Sequence, residues 1–130
     1  MLKVLLIDDD EIVLLVQRKL LQRCNFEQEI ISYRSAKSAL NYLSQVSDSD
    51  DFLILLDVNM PQMNGWDFIS QLSKMEVVDR THILMVTSSI ELNDKEVAEN
   101  YPNVFDFIEK PFNADNCKKI RSIPALKNYF

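Results

Sequence analysis

Glycine is almost absent from this sequence. The chain has 130 residues and a single glycine, whereas average usage would supply about nine. Phosphate-binding loops of the Walker and Rossmann types need several glycines within a few residues, because their backbone approaches the phosphates closely. The composition therefore excludes both kinds of loop, and it implies that turns are built from Asn, Asp, Ser and Pro.

Long hydrophobic runs and an excess of positive charge are also missing. No apolar run approaches the roughly 18 residues of a membrane-spanning helix, and Asp8 interrupts the first apolar segment too early for a signal peptide. The net charge is -6, so the chain as a whole does not attract the phosphate backbone of nucleic acids. We therefore expect a cytoplasmic protein that binds neither membranes nor nucleic acid directly.

Cysteine is limited to Cys24 and Cys117. The two residues are too far apart in sequence to form one of the short cysteine spacings that are typical of metal sites. Thiols in the cytoplasm are kept reduced. We therefore predict that both cysteines are ordinary reduced thiols.

Hydrophobic residues, by contrast, are abundant at 47% of the chain, too large a share for a disordered polymer. A chain of this length falls within the usual size of one domain and can bury roughly two thirds of its unfolded surface. No linker, internal repeat or low-complexity segment divides it. We predict a single domain over residues 1–130.

Short apolar segments alternate with amphipathic ones along the whole chain. The apolar segments are rich in Ile, Leu and Val, as in buried parallel strands, and the amphipathic ones have a helical period. Strands are predicted at about residues 2–7, 28–33, 52–56, 82–86 and 104–108, and helices at about residues 11–24, 36–46, 65–75, 94–100 and 114–122. This alternation indicates an α/β fold in which helices cover both faces of a parallel sheet.

Polar residues and a proline mark the helix ends. Ser35, Asn113 and either Asn93 or Asp94 are expected N-caps, because their side chains can accept a hydrogen bond from the first turn. Pro124 cannot continue a helix without a cost of about 3 kcal/mol. The last helix is therefore expected to end near Ser122, with a short turn or helix after it.

Chemically active residues follow four of the five predicted strands. Asp8 and Asp9 follow the first strand, Asp57 the third, Thr87 the fourth and Lys110 the fifth. Ligands of open α/β sheets bind just beyond the carboxyl ends of the strands. We therefore expect these side chains to meet in one crevice, where they would suit a hard cation and a phosphoryl group.

The three aspartates favour a divalent cation. Adjacent carboxylates repel one another, and burial increases that repulsion, whereas Mg²⁺ takes oxygen ligands and offsets the charge. Asp8 and Asp9 have a second interpretation, in which they belong to an acidic segment with Asp10 and Glu11 that caps the first helix. Asp57 ends a strongly apolar strand, where burial of a carboxylate costs free energy unless the group is paired or binds a metal.

Four segments in chain order carry a resemblance to a known family. They are residues 7–10 (Ile-Asp-Asp-Asp), residues 57–61 (Asp-Val-Asn-Met-Pro) followed by Gly65, residues 86–88 (Val-Thr-Ser) and residues 109–112 (Glu-Lys-Pro-Phe). Together they resemble the response-regulator receiver domain of bacterial two-component signalling, over essentially the whole chain. The resemblance implies a flavodoxin-like, doubly wound sheet of five parallel strands in the order 2-1-3-4-5, with five helices.

The resemblance also implies a role for each matching residue at the acidic site. Asp57 corresponds to the phosphoacceptor, which takes a phosphoryl group from a sensor histidine kinase or a phosphotransfer protein. Asp9 corresponds to a direct Mg²⁺ ligand, and Asp8 to a residue that acts largely through water. The backbone carbonyl of Asn59 corresponds to a further ligand, and Asp57 itself completes the metal set.

Three further residues correspond to the parts that respond to phosphorylation. Thr87 matches the hydroxyl that turns toward the phosphoryl group, and Lys110 matches the ammonium that pairs with it. Phe107 matches the aromatic switch position, where many members have tyrosine. Such a domain is a signalling switch, monomeric or weakly dimeric, that binds a downstream protein and is not a turnover enzyme.

Two other functions are compatible with part of the pattern. A haloacid-dehalogenase-type phosphatase would use Asp8 as its nucleophile and Asp10 as its acid and base, with Thr87 and Lys110 in later motifs. A pseudo-receiver would be an interaction module that is never phosphorylated. Substitution of Asp57 separates the phosphatase from the receiver, because the phosphatase would still form its covalent intermediate.

Overall fold

The computed structural model describes residues 1–130 and contains five strands and five α-helices. The strands are β1 (Leu2–Ile7), β2 (Glu29–Tyr33), β3 (Asp51–Asp57), β4 (Thr81–Thr87) and β5 (Val104–Glu109). The helices are α1 (Glu11–Arg23), α2 (Ala36–Leu43), α3 (Gly65–Leu72), α4 (Leu92–Ala98) and α5 (Ala114–Arg121), with 3-10 helical turns at Glu76–Arg80 and Pro124–Tyr129. None of the helices combines the length and the apolar composition needed to cross a bilayer.

All neighbouring strands pair in parallel, in the order β2-β1-β3-β4-β5. This confirms the predicted α/β class, the parallel sheet and the strand order. Strand β3 lies in the middle, between β1 and β4, and all its residues after Asp51 are buried. The carboxyl ends of the strands therefore share one edge of the sheet, with Asp57 at its centre.

Alternate residues of the strands supply two hydrophobic layers, one on each face of the sheet. Ile54 and Leu56 point into a layer that also includes buried residues of α2 and α3. Leu53 and Leu55 point into the opposite layer, which includes buried residues of α1 and α5. Because β3 is covered on both faces, its last residue is held rigidly at the site edge.

Four of the five predicted helix starts agree with the structure, but the N-cap of the fourth helix was wrong. The side chains of Ser35 and Asn113 cap α2 and α5 as predicted, and α5 ends before Ser122. Helix α4 begins after Glu91, whose side chain makes no capping bond, instead of after Asn93 or Asp94. The two preferred capping residues instead lie inside the helix, where Asp94 binds another side chain. Helices α2, α3 and α4 also end two or three residues earlier than expected.

The prediction of two reduced thiols is contradicted. Cys24 and Cys117 form a disulfide, with their Cα atoms 6.5 Å apart. The residues are separated by 93 positions in sequence, so no local spacing could reveal the pairing. They meet because α1 and α5 pack on the same face of the sheet.

Gly65 explains why the chain keeps one glycine. It begins α3, and its N–H donates a hydrogen bond of 2.9 Å to the carbonyl of Val58. A Cβ atom at this position would lie only 2.6 Å from the backbone oxygen of Asp57. Any side chain here would therefore push α3 away from the backbone that positions Asp57.

Candidate functional site

Four of the predicted site residues lie together at the carboxyl edge of the sheet. Asp57 and Thr87 are the last residues of β3 and β4, and Asp8 and Lys110 directly follow β1 and β5. The N–H of Lys110 donates to the carbonyl of Thr87 at 2.8 Å, which extends the β4–β5 pairing into the site. The Lys110–Pro111 peptide bond is cis.

Asp8, Asp9 and Asp57 form a compact acidic cluster. One carboxylate oxygen from each residue lies within 4.8 Å of those of the other two. The side chains differ in depth, because Asp8 and Asp57 are 1% and 5% exposed while Asp9 is open to solvent. Three hard oxygen donors at this separation have the chemistry of a divalent-cation site that is open on one side.

Lys110 supplies the positive charge nearest to this cluster. Its Nζ atom lies 2.8 Å from Oδ2 of Asp8 and 3.5 Å from Oδ1 of Asp57. Burial alone would lower the pKa of Lys110, but the hydrogen bond and charge of Asp8, together with Asp57, outweigh burial and raise that pKa. The side chain is therefore held as an ammonium ion between two carboxylates.

One ammonium ion does not offset three carboxylates. Burial and then the negative charge of Asp8 raise the pKa of Asp57 from 3.8 to about 6. Lys110 and a hydrogen bond of 3.3 Å from the N–H of Asn59 act in the opposite direction, and Asp9 adds to the repulsion. Additional positive charge at the cluster would favour the ionised, nucleophilic form of Asp57.

Asp10 is the N-cap of α1, the role that the second interpretation gave to the acidic segment of residues 8–11. Its Oδ1 atom accepts a hydrogen bond of 2.9 Å from the N–H of Ile12 and so caps α1. Asp8 accepts a bond of 2.9 Å from the N–H of Asp10 with its own Oδ1. Asp8 and Asp9 are therefore not the cap, and their carboxylates turn toward Asp57.

Thr87 and Phe107 lie on the neighbouring strands β4 and β5, with Thr87 at the edge and Phe107 paired with Met85, two residues before it. The Thr87 side chain is buried, and its hydroxyl donates to the carbonyl of Ser89 at 3.1 Å. Phe107 is also buried, and its carbonyl accepts a bond of 3.0 Å from Nζ of Lys119. The aromatic residue therefore lies inside the domain, and α5 is tied directly to its backbone.

Trp66, in α3, connects this region to α4, a contact that the sequence pattern does not predict. Its ring lies 6.3 Å from the ring of Phe107 and stacks on Tyr101 at 6.5 Å. Its Nε1–H donates to Oδ1 of Asp94 at 3.1 Å, which joins α3 to α4. The two residues are 28 positions apart, and only the folded chain brings them together.

A family comparison agrees with this geometry. The model of the family described as "Response regulator receiver domain" matches residues 4–121. The chain belongs to this family. It is therefore a receiver domain, the signalling module of two-component response regulators, as the four sequence segments predicted.

Individual relatives are distant but cover most of the chain. It is 25% identical over 131 residues to a probable methanogenesis regulatory protein, FilR2, of Methanothrix harundinacea, covering 98% of this chain and 82% of that protein. It is 32% identical to the two-component response regulator ARR14 of Arabidopsis thaliana over 92% of this chain, but that match spans only 30% of the plant protein. The crystal structure of a response regulator receiver protein from Dyadobacter fermentans superposes with a TM-score of 0.82 at 26% identity, covering 100% of this chain and 98% of that one.

The pKa of Asp57 predicts a pH-dependent effect of Asp57→Asn in the absence of divalent ions. The folded pKa is about 6 and the ordinary value 3.8. Below about pH 4 the carboxyl is protonated and the free energy of unfolding is highest. That stability is lost as the pH rises through about 6, because the buried carboxyl then ionises. Asn resembles the protonated acid, so the variant should be close to wild type in stability near pH 4 and more stable by about 3 kcal/mol at pH 8.

Urea unfolding at both pH values, in the presence of a chelator, measures this difference. Asp48→Asn removes the same charge from an exposed loop and serves as the control. Its effect should be small and similar at both pH values. An effect of Asp57→Asn that does not change with pH would contradict the account of a buried, repelled carboxyl.

Proposed function

We propose that Asp57 accepts a phosphoryl group from a phosphohistidine of a sensor histidine kinase or phosphotransfer protein, in a reaction that requires Mg²⁺. The observation that carries this proposal is the position of Asp57. It is a buried carboxylate that lies 3.5 Å from the Lys110 ammonium and within 4.8 Å of the oxygens of Asp8 and Asp9. Asp57 therefore has a cationic partner beside it, together with carboxylates that could hold a divalent cation.

The donor set fits the cation. Asp9 is exposed and its carboxylate forms no salt bridge, although its backbone carbonyl accepts a bond of 3.5 Å from Arg34. We therefore assign its side chain as the direct ligand, together with Asp57. Asp8 is already paired with Lys110 at 2.8 Å, which supports contact through water. The N–H of Asn59 binds Asp57 at 3.3 Å, so the Asn59 backbone lies beside the cluster, and we assign its carbonyl as a further ligand. Bound Mg²⁺ would supply positive charge beside the phosphoryl oxygens.

Phosphoryl transfer then depends mainly on positioning and charge. A carboxylate oxygen of Asp57 attacks phosphorus, the bond from phosphorus to the imidazole nitrogen breaks, and the imidazole leaves. Lys110 offsets the charge that the phosphoryl oxygens bring to the site. The product is an acyl phosphate, whose lability suits a signal of limited duration.

Thr87 and Phe107 are the residues that we propose to transmit the change. The Thr87 hydroxyl now donates to a neutral carbonyl at Ser89, and an anionic phosphoryl oxygen on Asp57 would be a stronger acceptor. Rotation of Thr87 toward it would change the packing of Phe107. Because Phe107 contacts Trp66, and Trp66 binds Asp94, the change would reach α4. An interaction that exists only after phosphorylation can shift such an equilibrium.

In this proposal residues 1–130 act as one receiver domain, which is monomeric or weakly dimeric and signals in the cytoplasm by binding another protein. The relatives differ widely in length, and the domain spans 30% of ARR14. The acidic net charge of -6 supports a protein partner over direct contact with nucleic acid.

Incubation with a small acyl phosphate and Mg²⁺ tests the assignment of Asp57. Intact mass should increase by one phosphoryl group in wild type, and a chelator should prevent the increase. Asp57→Asn should abolish the gain, while Asp48→Asn in the exposed loop should be labelled like wild type. Labelling of Asp57→Asn would favour Asp8 as nucleophile, as in a phosphatase, and absence of labelling in wild type would favour an interaction module.

Trp66 is the only tryptophan, so its fluorescence tests the role of Thr87. Addition of beryllofluoride and Mg²⁺ should change the emission of wild type, because Trp66 packs against Phe107. Thr87→Val keeps the shape but removes the hydroxyl, and it should reduce the change at least twofold. Ser88→Ala, at the exposed neighbouring hydroxyl, is the control and should respond like wild type. A full response in Thr87→Val would exclude Thr87 as the coupling residue.

A further inference from the structure

The cysteine pair lies in a part of the fold that the phosphoacceptor site does not use. Cys24 directly follows α1, and Cys117 lies in the first half of α5. Helix α1 starts at the acidic edge and runs back along the sheet, so Cys24 lies near the opposite edge, shortly before β2. The Cα separation of 6.5 Å is within the range that a disulfide can span.

We propose that Cys24 and Cys117 form a reversible redox site that cross-links α1 to α5 when a low-molecular-weight disulfide such as oxidised glutathione is available. The proposal rests on the cytoplasmic location proposed above, because a disulfide in a cytoplasmic domain is more often a transient, redox-responsive bond than a permanent one. The site is separate from Asp57, and its formation requires no phosphoryl group.

The reaction proceeds by two thiol–disulfide exchanges. The Cys24 thiolate attacks one sulfur of oxidised glutathione, which forms a mixed disulfide and releases one glutathione as a thiolate. The Cys117 thiolate then attacks the Cys24 sulfur and releases the second glutathione. The two protons lost by the protein thiols are taken up by the two glutathione thiolates, so the protein loses two electrons and glutathione disulfide gains them.

Solvent exposure determines which cysteine reacts first. Cys117 is 2% exposed and faces the hydrophobic layer, whereas Cys24 is half-buried at the end of its helix. A small disulfide can therefore reach Cys24 and not Cys117. Cys117 is instead placed to resolve the mixed disulfide from the protein side.

Contacts that do not involve sulfur hold the two helices together at this point. The Arg121 guanidinium, from α5, donates to the carbonyl of Cys24 and lies over the ring of Phe26 at 4.4 Å. Phe26 also makes an edge contact with Phe130 at the end of the chain. These contacts would keep the thiols close in the reduced protein, so that the second exchange is intramolecular and fast.

The cross-link would act mainly on α5. This helix has only eight residues, too few to be stable without tertiary contacts. Oxidation would join it covalently to the longer helix α1 and close a loop of 93 residues. We expect slower local opening of α5 and of the turn Pro124–Tyr129 that follows it.

Comparison of the oxidised and reduced wild-type protein tests the proposal without any substitution. Incubation with oxidised glutathione should remove two hydrogen atoms from the intact mass, and peptide mapping should join Cys24 to Cys117. The oxidised form should melt roughly 5–15 °C higher than the protein treated with dithiothreitol, and amide exchange in α5 should slow at least tenfold. The assay contains no phosphodonor, so its outcome does not depend on the role of Asp57.

Cys24→Ser is the matched control, because Cys24 is only half-buried whereas Cys117 lies inside the hydrophobic layer, and because Ser is close to Cys in size. The variant should lose no hydrogen and should melt at the same temperature under both conditions. The proposal is overturned if wild type keeps two thiols that alkylating reagents can modify, or if it accumulates a stable glutathione adduct at Cys24. A cross-linked protein with unchanged amide exchange in α5 would overturn the stated effect on that helix.

Discussion

Repulsion among Asp8, Asp9 and Asp57 is the interaction on which the rest of the site depends. Lys110 compensates for part of that charge, and it does so mainly through Asp8, which it approaches more closely than Asp57. Asp57 is left buried and undercompensated, with a pKa of about 6. Any bound cation favours the ionised form of such a carboxyl, and the charge at the site increases when Asp57 becomes an acyl phosphate.

The fold holds this unfavourable arrangement in place through its most rigid part. Strand β3 is paired on both sides and packed on both faces, so the end of the strand cannot move away to relieve the repulsion. Gly65 lets the start of α3 lie directly against the Asp57 backbone. The stability of the whole core thus offsets the unfavourable free energy of holding the three carboxylates together. The more peripheral helix α4 has no fully buried residue, and it is the part best able to move.

The residue pattern alone predicted the layers and the place where most of the site residues meet. Apolar runs in the sequence indicate the strands, and the carboxyl ends of parallel strands lie at one edge of the sheet. Asp8, Asp57, Thr87 and Lys110 could be placed together on that basis. Contacts between distant segments could not be predicted in this way. The Cys24–Cys117 pair and the Trp66–Asp94 bond depend on how helices pack. Asp94 was one of two expected N-caps, because aspartate side chains often accept a bond from the first helical turn, but it accepts one from Trp66 instead.

A crystal structure grown with Mn²⁺ in place of Mg²⁺ and with beryllofluoride would test the central claim most directly, since the anomalous signal of Mn²⁺ locates the cation without ambiguity. The account predicts one ion within about 2.3 Å of oxygens from Asp9 and Asp57, with beryllium bound to Asp57 and Lys110 beside a fluorine atom. Beryllium on Asp8, or an ion that avoids the three aspartates, would contradict it.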